Sequence, residues 1–304
     1  MGLMKLSTAT NPLTAPLPKK EGLSPAERAA ERFAISGNVI VTGGAGGLGL
    51  ASVRALLEHG AAGVCIFDLP ARFEKAQAEL HALHNDFPNA KIMEGAVDVT
   101  SEESVLRGVE SAVKGMGGVH VLLCAAGVAK DGDATEITME FWRHIQDTNT
   151  TGSFLCARTV GRWVPDVDRE MIKQGQGGSI IFIASLAAHR AVFPVNHTAY
   201  CVSKAGILQL ATSLAAEWAQ HGIRVNSISP GYIETPMTQV EEFALGKKIW
   251  EDRTPMGRMG VAEEVTGPVV MLSSGAGRFI TGIDIIVDGG SLTKYYVMMM
   301  TLTR

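Results

Sequence analysis

The sequence predicts an α/β protein: a single three-layer domain built on a doubly wound parallel sheet with helices on both faces. Short apolar segments alternate with amphipathic segments of helical length, the order typical of parallel βαβ units. The chain has 34 glycines and only 6% aromatic residues. A core of Val, Ile, Leu and Ala with many glycine turns suits a sheet that is buried on both faces.

Each strand is predicted from a short apolar run that ends at a turn residue, and each helix from an apolar stripe of helical period. Serines at 101 and 104 mark the start of one helix, since serine caps helices well. The predicted strands cover residues 38–42, 63–67, 92–97, 119–124, 179–184, 224–229 and 283–287. The predicted helices cover residues 48–59, 71–84, 101–114 and 198–221.

We divide the chain into an extended N-terminal arm (1–34), one α/β domain (35–292) and an apolar C-terminal tail (293–304). Four prolines interrupt the arm, and Ser24-Pro25 predicts one short helix, because serine can cap a helix and proline can open it. The arm either wraps a neighbouring subunit or is loose. Burial in a subunit interface would explain the apolar tail.

Composition excludes several classes of protein. The formal net charge is −4, with no basic block, which argues against a nucleic-acid or anionic-membrane partner. The four cysteines form no CxxC pair, which favours free thiols in a reducing compartment, and histidines and carboxylates do not cluster at ligand spacing, so no metal is implied. No apolar run is long enough to span a membrane. We therefore expect a cytoplasmic protein.

A glycine-rich turn joins the first predicted strand to the first helix. Glycines there allow a tight turn and let a pyrophosphate approach the helix N-terminus, whose unpaired N–H groups favour negative charge. The alternative is a tight connection without a ligand. The expected cofactor-binding residues of this turn are Thr42, Gly43, Gly47, Leu48 and Gly49.

Asp68 ends the second predicted strand. A carboxylate at this place can accept hydrogen bonds from both hydroxyls of an adenosine ribose, and it repels a 2′-phosphate. No Lys or Arg lies within the turn, although Arg72 follows four residues after Asp68. We therefore expect NAD as the cofactor, with NADP as the weaker alternative. Asp68 could instead cap the next helix.

Five motifs in order resemble the short-chain dehydrogenase/reductase family. They are Thr42-Gly43-xxx-Gly47-x-Gly49, Asn149, Ser185, Tyr200-Cys201-Val202-Ser203-Lys204, and Pro230-Gly231 followed by Val287-Asp288-Gly289-Gly290. The resemblance covers about residues 35–290 and implies a Rossmann-type fold, a nicotinamide dinucleotide and a homo-dimer or homo-tetramer.

The resemblance implies four catalytic residues. Tyr200 would exchange a proton with the substrate oxygen while a hydride is transferred. Lys204 lies four residues further, on the same face of a helix, where its ammonium would lower the pKa of Tyr200 and hold the nicotinamide ribose. Ser185 would hydrogen-bond the substrate oxygen. Asn149 would support a proton relay to the lysine, or else cap a helix.

The resemblance also implies further cofactor contacts. Asp98 and Val99 would meet the adenine, and a segment after the sixth strand would hold the carboxamide of the nicotinamide. Asn149, Tyr200 and Lys204 would contact the cofactor as well. The remaining expected contacts are Gly127, Pro230, Gly231, Ile233 and Thr235.

The chain departs from the family pattern at two places. Cys124-Ala125-Ala126-Gly127 stands where the family often has Asn-Asn-Ala-Gly, so amide groups that brace the sheet are missing. The loop between Ser185 and Tyr200 is about two residues longer than usual, and its layout resembles the fungal polyol dehydrogenase and carbonyl reductase branch. Its polar residues either bind a polar substrate or face solvent: His189, Arg190, Asn196 and His197.

The sequence thus predicts an oxidoreductase that transfers a hydride between NAD(H) and a secondary alcohol or ketone, with a polyol or sugar alcohol as substrate. Residues 239–259 would form a lid over it. One alternative is an NADP-dependent reductase of a natural-product or other ketone. A second is a dinucleotide-binding regulator or scaffold without activity, and a third is elimination or epimerisation with tightly held NAD.

Overall fold

A computed structural model describes residues 4–16, 21–161, 177–234 and 244–296. Within these ranges the strands are β1 (Asn38–Thr42), β2 (Gly63–Asp68), β3 (Lys91–Ala96), β4 (Val121–Cys124), β5 (Gly178–Ile183), β6 (Ile223–Pro230), β7 (Ile233–Glu234), β8 (Gly260–Val261) and β9 (Asp284–Val287). The helices are α1 (Pro25–Phe33), α2 (Gly47–Glu58), α3 (Pro70–Lys75), α4 (Gln77–Asp86), α5 (Glu102–Met116), α6 (Met139–Gln146), α7 (Gly152–Gly161), α8 (Thr198–Trp218), α9 (Ala244–Arg253) and α10 (Glu263–Ser273).

Seven strands form one parallel sheet in the order β3-β2-β1-β4-β5-β6-β9, and β7 pairs separately with β8. The order reverses direction between β1 and β4, the switch point at which such sheets bind ligands. There Thr42, the last residue of β1, is level with Phe67 of β2 and Cys124 of β4. The doubly wound parallel sheet predicted from the sequence is confirmed.

The core lies on both faces of this sheet, because alternate residues of each strand point to opposite sides. Ile40 belongs to the cluster that packs against α5, α7 and α8. Its neighbours Val39 and Val41 belong to the cluster that packs against α2 and α10. All three side chains are fully buried, as expected for a central strand of a three-layer fold.

Two elements differ from the sequence prediction. The helix predicted over 71–84 is two helices, α3 and α4, that meet at Ala76, whose backbone leaves the helical conformation (φ −102°, ψ 13°). The predicted helix over 198–221 ends in a 3₁₀ turn over Ala219–His221, followed by Gly222 in the left-handed conformation. Apolar periodicity continues through both breaks, so the sequence pattern alone does not reveal them.

The predicted short helix of the arm is confirmed as α1. Ser24 and Glu27 form a reciprocal capping box at its start. Before it, the Asn11 side chain donates to the Gln220 carbonyl at 2.7 Å, and Arg278 donates to the Ala15 carbonyl at 2.9 Å. The described part of the arm therefore lies against the domain. Among the described residues, no helix is long and apolar enough to cross a bilayer.

Candidate active site

The glycine-rich turn lies against the segment that follows β4. Gly43 has a left-handed backbone (φ +65°), and a Cβ added to it would stand 2.7 Å from the Ala126 Cα. A Cβ on Gly49 would stand 2.1 Å from the Gly43 carbonyl oxygen. Thr42 fastens the same contact, since its buried hydroxyl accepts from the Ala126 N–H at 3.3 Å. Only glycine allows this close approach of backbone, which leaves the N-terminus of α2 open to a pyrophosphate.

Asp68 touches the glycine-rich turn directly. One carboxylate oxygen accepts from the Ala45 N–H at 3.1 Å, and the other accepts from the Leu69 N–H at 2.8 Å. The alternative of a helix-capping carboxylate is not met, because Leu69 is the N-cap residue of α3 and no side chain makes a capping hydrogen bond there. The Asp68 side chain stays half-buried at the carboxyl edge of the sheet.

Asn149 lies in a π-helical turn, Asp147–Thr151, which joins α6 to α7 in one continuous helical segment. Its side chain is fully buried. The amide oxygen accepts from the Val128 N–H at 2.8 Å, while the amide nitrogen donates to the Val128 carbonyl and to the Ser203 hydroxyl, both at 2.9 Å. Asn149 thus joins the segment after β4 to α8, rather than capping a helix.

Ser185 and Tyr200 meet at the start of the long loop. Ser185 directly follows Ala184 after β5 and is 9% exposed, and its hydroxyl hydrogen-bonds the Tyr200 side chain. Burial raises the pKa of Tyr200, and the hydrogen bond from Ser185 lowers it by less. Contrary to the lowering expected from Lys204, the pKa of Tyr200 is raised, because desolvation by burial is the largest effect on it.

Lys204 is buried in the same place. Its Nζ donates to the Ile183 carbonyl at 2.7 Å and lies 5.8 Å from the centre of the Tyr200 ring. Burial lowers the pKa of this ammonium to about 8. A Cβ added to Gly127 would stand 3.5 Å from Nζ and 3.2 Å from the Asn149 amide oxygen. Gly127, Asn149 and Lys204 are therefore brought together as the sequence predicts.

The other expected cofactor contacts are two glycines, Asp98, four apolar residues and Thr235. Gly47 is exposed at the start of α2, and Gly231 lies so close to Asp288 that an added Cβ would stand 2.6 Å from its Cα. Asp98, by contrast, turns its carboxylate to the N–H and hydroxyl of Thr100. The apolar ones, Leu48, Val99, Pro230 and Ile233, are buried or half-buried beside the same edge, and Thr235 lies outside the described residues.

The long loop is held by its own polar residues. His189 Nε2 contacts an Asp284 carboxylate oxygen at 2.9 Å and the Ser229 hydroxyl at 3.2 Å, and His197 pairs with Asp131. Two of the four candidate substrate ligands thus fasten the loop to β9 and to the segment after β4. The ring of His197 is 5.3 Å from that of Tyr200.

Helix α9 covers the loop from the other side. Trp250 is buried and stacks on Tyr232 with ring centres 5.1 Å apart. The Arg253 guanidinium lies over the Phe193 ring at 4.1 Å. This is the described part of the lid expected over 239–259; its first residues, 239–243, lie outside the described ranges.

Sequence reasoning missed three contributors to the site. Ser203 is fully buried between Asn149 and the Tyr200 carbonyl; its place on the Tyr-xxx-Lys helix was a usable signal. Asp131 and Tyr232 gave none, since their roles depend on how the loops fold. Cys124 is buried and burial raises its pKa, so it is a core thiol in place of the bracing amide.

Fold and site together define a nicotinamide-dependent oxidoreductase, and comparison with known proteins agrees. A family model described as enoyl-(acyl carrier protein) reductase matches residues 43–291. The chain belongs to the short-chain dehydrogenase/reductase family.

Relatives with described activities come from fungi and bacteria. A protein named NADP-dependent mannitol dehydrogenase from Hypocrea jecorina is 33% identical over 273 residues, which cover 88% of this chain and 97% of that protein. One named NAD-dependent glycerol dehydrogenase from Listeria innocua is 34% identical over 263 residues, which cover 84% and 93%. The solved structure of an NADPH-dependent 3-quinuclidinone reductase from Rhodotorula rubra has a TM-score of 0.78 at 28% identity, and covers 92% of this chain and all of that one. The cofactor is therefore a nicotinamide dinucleotide, and the relatives include users of both forms.

Proposed function

We propose that the protein transfers a hydride between NAD(H) and a secondary alcohol or ketone, and that its substrate is a polyol or sugar alcohol. The observation that carries this proposal is the convergence of Ser185, Tyr200 and Lys204 at the carboxyl edge, next to a glycine turn shaped for a pyrophosphate. Mannitol and glycerol, the substrates named for two relatives, support the polyol.

The residues present fit a bound dinucleotide. The glycine-rich turn and the N-terminus of α2 would hold its pyrophosphate, Asp68 its adenosine ribose and Lys204 its nicotinamide ribose. When bound, the dinucleotide supplies or accepts the hydride. A side chain at Gly127 would stand against Nζ of Lys204 and the Asn149 amide oxygen, so glycine keeps this part of the proposed site open.

Tyr200 would handle the proton. Since burial raises its pKa, the hydroxyl keeps its proton at neutral pH and is ready to donate to a carbonyl oxygen during reduction. In oxidation it must accept the alcohol proton, so this direction should become faster as pH rises. Ser185 would donate to the substrate oxygen and steady the charge that develops there.

We favour NAD because the Asp68 carboxylate, fixed against Ala45, would repel a 2′-phosphate. The relatives that use NADP favour the second candidate, an NADP-dependent reductase of a ketone. Arg72, exposed on α3, is the cation in this region that could face a 2′-phosphate.

The test is a reduction assay followed at 340 nm, with NAD beside NADP, across alditols and simple secondary alcohols. Turnover of an alditol with NAD supports reaction, substrate and cofactor. A higher kcat/KM with NADP replaces the first candidate with the second. Dinucleotide binding without turnover of any alcohol or ketone contradicts the catalytic proposal.

We also propose a cytoplasmic homo-dimer or homo-tetramer. All four cysteines are free thiols, which fits a reducing compartment. Phe279 is fully exposed, and Val202 and Ile286 are nearly half exposed, which is unfavourable unless another subunit covers them. Light scattering after size exclusion tests the assembly, and a monomer at micromolar concentration contradicts it.

A further inference from the structure

Arg190 and Tyr232 lie near enough to interact with each other, and they contribute three buried polar atoms that make no well-formed hydrogen bond in the described part of the chain. They are Nε and Nη2 of Arg190 and the hydroxyl oxygen of Tyr232. Buried polar atoms nearly always have a partner, because a desolvated donor without one costs free energy. Three such atoms on two neighbouring side chains indicate a place that receives a polar ligand.

This place adjoins the proposed active site. The Arg190 carbonyl lies 4.0 Å from the thiol of Cys201, the residue next to Tyr200. Tyr232 follows the end of β6, and its aromatic ring is held by the stack with Trp250. Tyr200 and Tyr232 both pack against one small apolar cluster, formed by Leu186, Ala187 and Val192.

The chemistry of Arg190 favours one type of ligand. Nε–H and Nη2–H lie on the same edge of the planar guanidinium, and this edge pairs with both oxygens of a carboxylate through two parallel hydrogen bonds. The Tyr232 hydroxyl can donate a third. Two neighbouring hydroxyl oxygens of a neutral alditol could accept from the same edge, but these hydrogen bonds are weaker because the alditol has no negative charge.

The surrounding charges agree with an anion. Burial raises the pKa of Tyr232, while the charges of the nearby Arg190 and Arg253 guanidiniums and a weak hydrogen bond from Arg190 lower it by less. Two carboxylates of the adjoining segments already have cationic or histidine partners: Glu234 contacts Lys247 at 2.7 Å and Asp284 contacts His189 at 2.9 Å. Positive charge therefore faces the Tyr232 hydroxyl.

We propose that Arg190 and Tyr232 form a carboxylate subsite, and that the substrate is a polyhydroxy acid whose secondary hydroxyl reaches Tyr200. The inference rests on the proposed function and narrows its substrate from neutral polyols to sugar acids. Arg190 sets specificity and binding, whereas proton transfer stays with Tyr200.

The test compares kcat/KM for a six-carbon aldonate, the matching alditol and the alditol phosphate, each with NAD and with NADP. Wild type should prefer the aldonate by about 10-fold or more. Arg190→Met should lower the aldonate-to-alditol ratio by about 10- to 100-fold, the effect of losing hydrogen bonds to a charged group. Arg190→Lys should restore little of the aldonate-to-alditol ratio, since an ammonium lacks the two parallel N–H groups of the guanidinium edge. Tyr232→Phe should lower the ratio less than Arg190→Met does.

Arg107→Met is the matched control. This arginine pairs with Glu103 on exposed α5, so its loss changes the net charge equally and should leave the ratio unaltered. Binding is measured separately, as the rise in the melting temperature of the wild-type protein when the aldonate is added without a dinucleotide. This rise should be absent with the alditol and should disappear in Arg190→Gln.

Three results overturn the subsite: an unchanged ratio in folded Arg190→Met, a wild-type preference for the alditol, or a preference for the phosphate over the aldonate. Failure of the proposed function looks different. In that case no alcohol or ketone is turned over with either dinucleotide, and Tyr200→Phe behaves as wild type, whatever Arg190 does to aldonate binding.

Discussion

At the amino edge of the sheet, Asn38 donates to the carbonyls of Met116 and Gly118, its N–H donates to His120, and the arm residue Asn11 bonds the Gln220 carbonyl. At the carboxyl edge, the half-buried side chains of Arg190 and Tyr232 have buried polar atoms that make no well-formed hydrogen bond to a described residue. Polar side chains are partly buried at both edges, but Asn38 and Asn11 at the amino edge are hydrogen-bonded within the protein.

The difference separates residues that hold the fold from residues arranged for a ligand. A closed set of hydrogen bonds contributes stability and leaves nothing for another molecule. Unsatisfied groups cost stability, and active sites accept such costs. The distinction is a tendency within this chain, because Arg158 Nε and Ser273 Oγ also lack partners away from the site. Variants at the carboxyl edge should therefore change activity, and variants at the amino edge should change stability.

The largest expected effect is that of Tyr200→Phe. It removes the hydroxyl that exchanges the proton, so kcat should fall by about 10²- to 10⁴-fold. Dinucleotide affinity, measured by fluorescence titration, should stay within a few fold, and the melting temperature should change little. Activity near that of wild type would show that the proton passes through another group.

Asp68→Ala should change cofactor choice without removing turnover. Loss of a carboxylate beside the ribose removes repulsion of a 2′-phosphate, so the ratio of kcat/KM with NAD to that with NADP should fall by about 10-fold or more. Asp86→Ala is the control, since this carboxylate pairs with Arg54 on the surface. An equal ratio in wild type and Asp68→Ala would mean that Asp68 does not meet the ribose.

Lys204→Met should make the protein inactive and more stable. Burial lowers the pKa of Lys204 to about 8, so between about pH 8 and its unfolded value near 10.5 the unfolded chain binds more protons than the folded chain. Wild-type stability from this group therefore rises with pH across that window. Melting temperatures from pH 7 to 10 should show the variant ahead of wild type at pH 7, with the gap closing as pH rises. A wild type more stable than the variant at pH 7 contradicts this.

The smallest effects belong to the arm. Ser24→Ala removes the capping box of α1 and should cost about 1 kcal/mol of local helix stability. Asn11→Ala removes the hydrogen bond to the Gln220 carbonyl together with two bonds inside the arm, to Ser7 and Leu13, and should cost about as much. Hydrogen exchange should report both, while kcat/KM remains that of wild type. A change in kcat/KM from either variant would contradict the conclusion that residues at the amino edge affect stability and not activity.

The sequence predicted the parallel sheet and the glycine turn because both depend on short-range patterns, whereas the Ser185, Tyr200 and Lys204 set was implied by the family resemblance. Strand periodicity, turn glycines and a four-residue helical spacing can each be recognised in the sequence without knowledge of the tertiary structure. These residues accordingly meet where parallel strands end. Their catalytic roles stay a prediction, as no contact in the structure measures turnover.

What the sequence did not predict depends on distant segments. His189 was a candidate substrate ligand, but it lies against Asp284 of the edge strand, almost a hundred positions away. The effect of Lys204 on Tyr200 was expected from the pair alone, whereas burial by the surrounding elements decides the direction of the pKa. Arg190 was a candidate substrate ligand, but the sequence did not predict that it lies beside Tyr232.

The π-helical turn Asp147–Thr151 has a consequence for how this chain can vary. Such a turn arises when one extra residue is inserted into an α-helix, and each residue of a helix rotates the following ones by about 100°. Deleting one residue between α6 and α7 would relax the turn to a regular helix and swing Asn149 away from Val128 and Ser203. Substitutions elsewhere in the turn are tolerable, but a change in its length is not. Natural relatives should therefore differ in the residue types of this turn and not in the number of its residues.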